Sequence, residues 1–247
     1  MKPKHLVVAT AVLLLSTVSG GAYASWWGDN DIKGNGHVIE HSQALNKIDE
    51  IKVALPADVH VVKGDGKLTI SAEDNLQSYI KVEIDDGTLK LGSKDGYDLE
   101  PTKPIKITIS TEQLAEVAVA GSGDVTVDSF SGDKDLKLKL AGSGSLTVAS
   151  ASYPKVSVDV AGSNDVTING GSAEQLDISI AGSGDVDTHK LVAQHAKVSV
   201  AGSGDISVRA SDSLKISIAG SGDVDYYGNP SLKQSIMGSG DINHKGD

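Results

Sequence analysis

One phrase constrains this chain more than anything else in it: Ala-Gly-Ser-Gly-Asp followed by a β-branched residue. It stands intact at Ala120–Val125, Ala181–Val186, Ala201–Ile206 and Ala219–Val224. Altered copies lie at Ala141–Leu146 (Ser145 replaces Asp), Ala161–Val166 (Asn164 replaces Gly) and Met237–Ile242 (Met237 replaces Ala). Successive copies begin 21, 20, 20, 20, 18 and 18 residues apart. Self-similarity at a fixed period near 20 residues is the mark of a stacked solenoid, in which each repeat buries its apolar face only against its neighbours.

The residues around the phrase carry the same message. Leu136, Leu138 and Leu140 align with Val156, Val158 and Val160, with Leu176, Ile178 and Ile180, with Ala196, Val198 and Val200, and with Leu214, Ile216 and Ile218. After the Gly-Ser-Gly corner, Leu146 and Val148 align with Val166 and Ile168, with Ile206 and Val208, and with Val224 and Tyr226. Lys, Ser, Asp or Thr stand between them. This period-2 alternation predicts one half-buried strand before each corner and one after it. Rungs about 4.8 Å apart would make seven copies rise roughly 30 Å. The expected fold is a right-handed, single-stranded parallel β-helix with 18–21 residues per coil. This period favours the β-helix over a propeller, whose blades need about 40 residues or more each. The only Phe, Phe130, falls in a link between repeats.

The regular repeats span 111–243 of a single domain, 37–247. Residues 37–110 alternate in the same way, through Ile51, Val53 and Leu55, then Val59 and Val61, Leu68 and Ile70, Ile80 to Leu91, and Ile105, Ile107 and Ile109. Turn residues at Lys63–Gly66 and Asp85–Gly87 punctuate them, which predicts irregular N-terminal coils. Ser71–Ser78 and Thr111–Leu114 each have room for one helical turn.

Lys2 and Lys4, the apolar run Leu6–Val18 and Ala22-Tyr23-Ala24 predict a cleaved secretory signal over 1–24. The run is shorter than the roughly 20 residues a membrane span needs. Ser25–Gly36, with Trp26 and Trp27, reads as a flexible leader. Loss of Lys2 and Lys4 with no acid takes the net charge from −11 to −13. Such a balance argues against nucleic acid and anionic lipid surfaces as partners. With no Cys in the chain, disulfides, thiolate metal sites and N-terminal Cys lipidation are excluded.

Candidate chemistry is sparse. Glycine supplies the backbone of a sharp corner, and the Asp carboxylate can accept hydrogen bonds from amides in its turn. The alternative for Asp124, Asp165, Asp185, Asp205, Asp223 and Asp241 is a calcium ladder, since calcium takes several oxygen ligands. Nonapeptide calcium rolls differ in period, and Ser145 interrupts the column. His189 and His195 share one link, where a weak metal site is the alternative to two solvent-exposed residues, the reading adopted. Ser157, Ser179, Ser199 and Ser217 form an outward column suited to glycan hydroxyls, with Tyr153, Tyr226 and Tyr227 as the sugar-stacking candidates. A polyuronate lyase would want basic residues, yet Arg209 is the sole Arg. No carboxylate pair is marked for hydrolysis. No catalytic, cofactor or metal residue is assigned.

The phrase Gly-Ser-Gly-Asp-Ile-Asn at Gly238–Asn243 contains the Gly/Ile/Asn signature of the GIN domain. The ordered opening resembles that family too: Ile48–Val62, a Gly-Asp turn, Leu68–Ser71, Ile80–Leu91, and Ile105–Ile109 leading into the first corner. The family is named for autotransporter adhesin head domains. The resemblance implies an exported β-helical protein of bacterial envelopes and supplies no catalytic residues. No membrane barrel or cell-wall sorting signal follows Asp247, so a periplasmic or secreted state is expected, with association at the cell surface as the alternative. The sequence thus points to a non-catalytic binding or adhesion module whose partner is a glycan or envelope protein, with homo-oligomers through uncapped ends. A polysaccharide-active enzyme and a calcium-stabilised scaffold are the alternatives.

Overall fold

The computed structural model describes residues 30–246. The expected signal over 1–24, and Trp26 and Trp27, lie outside the described residues. The N-terminal part comprises β1 (Asp31–Lys33), β2 (Val38–Ala44), β3 (Glu50–Ala54), β4 (Ala57–Lys63), β5 (Lys67–Glu73), the single turn α1 (Asp74–Gln77), β6 (Ile80–Asp85), β7 (Thr88–Ser93), β8 (Asp98–Glu100) and β9 (Ile105–Thr111). The repeats supply β10 (Glu116–Gly121), β11 (Asp124–Ser131), β12 (Leu136–Gly142), β13 (Ser145–Gly162), β14 (Asp165–Ile168), β15 (Gly171–Gly182), β16 (Val186–Gly202), β17 (Ile206–Gly220), β18 (Val224–Tyr227), β19 (Ser231–Gly238) and β20 (Ile242–His244).

These strands build a parallel β-solenoid. The first face stacks β7, β3, β10, β12, β13, β15, β16, β17 and β19 in that order. The second stacks β9, β4, β11, β13, β14, β16, β17, β18 and β20. Register follows the repeat residue by residue: Val158 lies over Ile178, Ile178 over Val198 and Val198 over Ile216. All four are at most 2% exposed. Each such aliphatic side chain contributes about 1.5–3 kcal/mol by leaving water, and no repeat can bury its set alone.

The link regions form a third face rather than loops. Ser129–Ser131 pair with Ser150–Ser152, and the row continues through Ala173, Ala193 and Ala210. This corrects the placement of Phe130, which is buried over Ala151. Tyr153 is buried over Ala173, with Gly132 against its ring. Small residues at most rungs of this face leave room for one large ring at two of them. β13 and β16 keep their hydrogen bonding through the bend from third face to first, so they run far longer than one face.

The N-terminal coils are not simply the first rungs. The coil β3–β4 lies between β7–β9, which follows it in the chain, and β10–β11. The intervening chain leaves through β5 and returns through β6. Both make antiparallel pairs, β5 with β9 and with β2, and β6 with β7. The outermost parallel strands therefore carry antiparallel covers, which keeps their edges from further stacking. Leu76 of α1 is fully buried at this end. Of the segment read as a flexible leader, Asp31–Lys33 forms a parallel strand with Asp98–Glu100, because Ile32 packs on the core. Thr111–Leu114 forms no helical turn: the Thr111 hydroxyl donates to Ile48 O at 2.7 Å, and Leu114 is buried.

Candidate functional site

Each Gly-Ser-Gly corner rests directly on the one beneath. The amide ladder passes through it, as where Ser203 N–H donates to Gly182 O at 2.9 Å. Gly202 has φ +143°, and a Cβ there would lie 1.9 Å from Gly182 O. Backbone packing on backbone, as much as turn conformation, thus demands glycine. The altered third copy solves the same problem differently. Asn164 is buried, accepts a hydrogen bond from Gly144 N–H at 2.9 Å, and donates to Gly142 O and Ala161 O.

The corner aspartates reach across rungs, not within their own turns. Asp205 N–H donates to Asp185 Oδ1 at 2.8 Å, Asp223 N–H to Asp205 Oδ1 at 2.9 Å, and Asp241 N–H to Asp223 Oδ1 at 2.8 Å. Where Ser145 interrupts the column, its hydroxyl donates to Asp124 Oδ1 at 2.7 Å, and Asp165 N–H turns to Gly144 O. One oxygen of each bonded carboxylate is committed to the neighbouring backbone, and the column is exposed. Among the described residues, no three acidic or His side chains converge as a metal cluster would require.

The first face carries the outward columns. In its N-terminal half the charges pair: Lys139 lies 3.3 Å from Glu116, Lys52 lies 3.4 Å from Glu50, and Lys90 lies 3.1 Å from Asp85. The Thr88 hydroxyl holds the Glu50 carboxyl below its usual range, against partial burial and with help from Lys52 and Lys137. An open groove beside these residues, with a volume of about 650 Å³, is floored by Val53, Leu140 and the Ala120–Ala141–Ala161 column. The C-terminal half differs. Lys197, Lys215 and Lys233 stand in register, all exposed. Among the described residues none has a carboxylate within ion-pair distance. Asp177, in register with Lys197, is engaged by Lys155 at 2.6 Å, which raises the Lys155 pKa. Beside this column runs a serine column, Ser179, Ser199 and Ser217, continued by Ser235. Ser157, expected in the same column, instead stands in register with Asp177 and so belongs to the lysine column, while Asp159 stands in register with Ser179. The lysine column was present in the aligned sequence, where it read only as polar spacing.

Other sequence candidates separate. Tyr153 faces the core and donates to Leu114 O at 2.9 Å, and burial pushes its phenol up to about 12. It cannot serve as a sugar platform. His189 bonds Asp187 and lies 5.2 Å from the Tyr227 ring, which Arg209 also covers at 5.4 Å. His195 instead contacts the Ser213 hydroxyl at 2.9 Å. Tyr226 stacks on His244 at 4.8 Å. Glu73, unnoticed in the sequence, is fully buried at the N-terminal end. Burial pushes its carboxyl up, but bonds from the Thr102 hydroxyl and the amides of Gly36, Thr102 and Lys103 outweigh this and hold it below the usual range.

Residues 47–230 match the family described as "Putative auto-transporter adhesin, head GIN domain". The fold is shared with crystal structures of a putative adhesin from Bacteroides fragilis (24% identity, TM-score 0.79, 86% of this chain and 99% of that one) and a putative adhesin from Parabacteroides merdae (21%, 0.64, 87% and 99%). It is shared also with a putative lipid binding protein from Parabacteroides distasonis (27%, 0.68, 87% and 99%). No curated protein matches the chain. With the match spanning three-quarters of its length, this chain belongs to the GIN-domain family.

Proposed function

We propose that this protein is an exported, non-catalytic binding or adhesion module of the cell envelope. The observation that carries this reading is the first face, where Ser179, Ser199, Ser217 and Ser235 repeat one hydroxyl per rung on a continuous sheet. A stacked sheet holds such groups at a fixed spacing of about 4.8 Å, so a long ligand meets many equivalent contacts with little ordering cost in the protein. The adhesin names borne by the family and by two relatives support the reading. Export is supported by the charged start, apolar run and Ala22-Tyr23-Ala24 site.

Expression of the full chain in a bacterial host, followed by fractionation and N-terminal sequencing, tests export. Release from the cytoplasm with a new N-terminus at Ser25 is expected. Glycan-array and envelope-extract binding then tests the module. Saturable binding without chemical change supports it, whereas turnover of a bound polysaccharide replaces it with an enzyme.

A further inference from the structure

We infer that the outer face of the last three rungs is a docking strip for an extended polyanionic polysaccharide, gripped by Lys197, Lys215 and Lys233 and steadied by Ser199, Ser217 and Ser235. The inference rests on the binding-module reading and names its ligand class.

The lysines occupy equivalent positions on β16, β17 and β19. Adjacent rungs place them about 4.8 Å apart at the Cα level, a spacing at which like charges on one sheet face repel. A chain with 33 acidic residues against 22 basic ones has ample carboxylate to relieve this. It does so with Glu116 and Glu50 on the N-terminal half of the same face. On the last three rungs it does not. From Ala196 to Ala201, Leu214 to Ala219 and Leu232 to Met237 there is no acidic residue. Three unpaired ammonium groups therefore stand in a line along the solenoid axis, with a parallel line of hydroxyls two residues further along each strand.

The net negative charge of the chain opposes polyanions at long range, but it is screened beyond about 10 Å at 0.1 M salt. At contact, a linear polymer with regularly spaced carboxylates or sulfates complements both lines. Its charges neutralise the lysines, and its sugar hydroxyls exchange hydrogen bonds with the serines. Nucleic acid fits less well, since the strip has no aromatic side chain on which bases could stack. An anionic bilayer fits less well too: the exposed apolar side chains of these three stretches are the small Ala201 and Ala219 and, on the last rung alone, Ile236 and Met237, too few to anchor in a membrane.

The test is binding of the exported, full-length protein to immobilised polygalacturonate and heparin, with dextran as neutral control and single-stranded DNA and anionic phosphatidylglycerol vesicles as competitors. Retention on a polyanionic glycan but not dextran is expected. The triple variant Lys197→Gln/Lys215→Gln/Lys233→Gln should melt like the parent and bind at least tenfold more weakly. Its log Kd against log salt should be flatter by up to about 3. A control triple variant at Lys52, Lys90 and Lys139 should bind as the parent does. Ser199→Ala/Ser217→Ala/Ser235→Ala should weaken binding without changing the salt slope. Glycan binding that survives the Lys197/Lys215/Lys233 change, or falls equally in the control, overturns the strip and leaves the binding-module reading standing. Absence of binding to every glycan and envelope extract overturns both. Preferential displacement by DNA or vesicles overturns the polysaccharide assignment.

Discussion

The two parts of this molecule are built by opposite means. The repeated stack, from β10 onward, uses one backbone solution again and again: an aliphatic strand, a glycine corner and an aspartate that bonds the next amide. Few of its side-chain contacts are unique. The N-terminal part uses almost no contact twice. It doubles back through β5 and β6, covers β7 and β9 with antiparallel strands, and ties Gly36, Thr102 and Lys103 to the single carboxylate of Glu73. A repeat stabilises its neighbour but leaves an edge, and an edge can be closed only by something that breaks the repeat.

Substitutions can push this contrast to failure. The largest effect is expected in the stack's interior. Val198→Asp buries an unpaired charge between Ile178 and Ile216 and should cost about 3–5 kcal/mol, enough to abolish a cooperative melt, while Ser199→Asp stays within about 0.5 kcal/mol. Next comes the corner. Gly202→Ala forces a Cβ against Gly182 O and should cost clearly more than the ~1 kcal/mol expected of a left-handed position with open space. Gly96→Ala, with φ +81° and nothing within 4 Å, supplies that comparison. Urea titration of the two variants measures the difference.

Acid should separate the ends. The Glu73 pKa is lowered on folding, so its contribution is present above the ordinary carboxylate range and is lost as pH falls through the lowered value. Protection factors for hydrogen exchange, corrected for the intrinsic pH dependence, should therefore fall in β1 and β2 before they fall in β15 and β16 on acidification. Glu73→Gln should lower protection in β1 and β2 already at neutral pH and leave no further loss on mild acidification. The smallest effect belongs to the ladder: Asp205→Asn keeps the acceptor for Asp223 N–H and should be nearly silent, whereas Asp205→Ala should cost about 1 kcal/mol or less by thermal melting.

The regular region was legible because its inward residues are all of one kind. Val158, Ile178, Val198 and Ile216 reveal register by position alone, and the structure stacks them so. The third face is not legible in the sequence because its inward residues, Phe130, Ala151, Tyr153, Ala173 and Ala193, mix rings with Ala, and a row of Ala beside two rings looks like a linker. The lysine column was misjudged for a related reason. Alternation marks a residue as outward, but only the neighbours across rungs tell whether its charge is paired.

From the residues alone came the period, the inward and outward sets of the two regular strands per coil, the glycine corners and the family. These follow from backbone sterics and from burial of apolar surface, which act on each repeat locally and identically. Tertiary structure alone decided that β3–β4 lies between two later coils, that aspartates bond the rung above, that Glu73 closes one end, and that Lys197, Lys215 and Lys233 stand unpaired. Each of these depends on which distant residue lies one rung away, and a one-dimensional pattern does not record that neighbour where the repeat is broken or where charge, rather than shape, makes the difference.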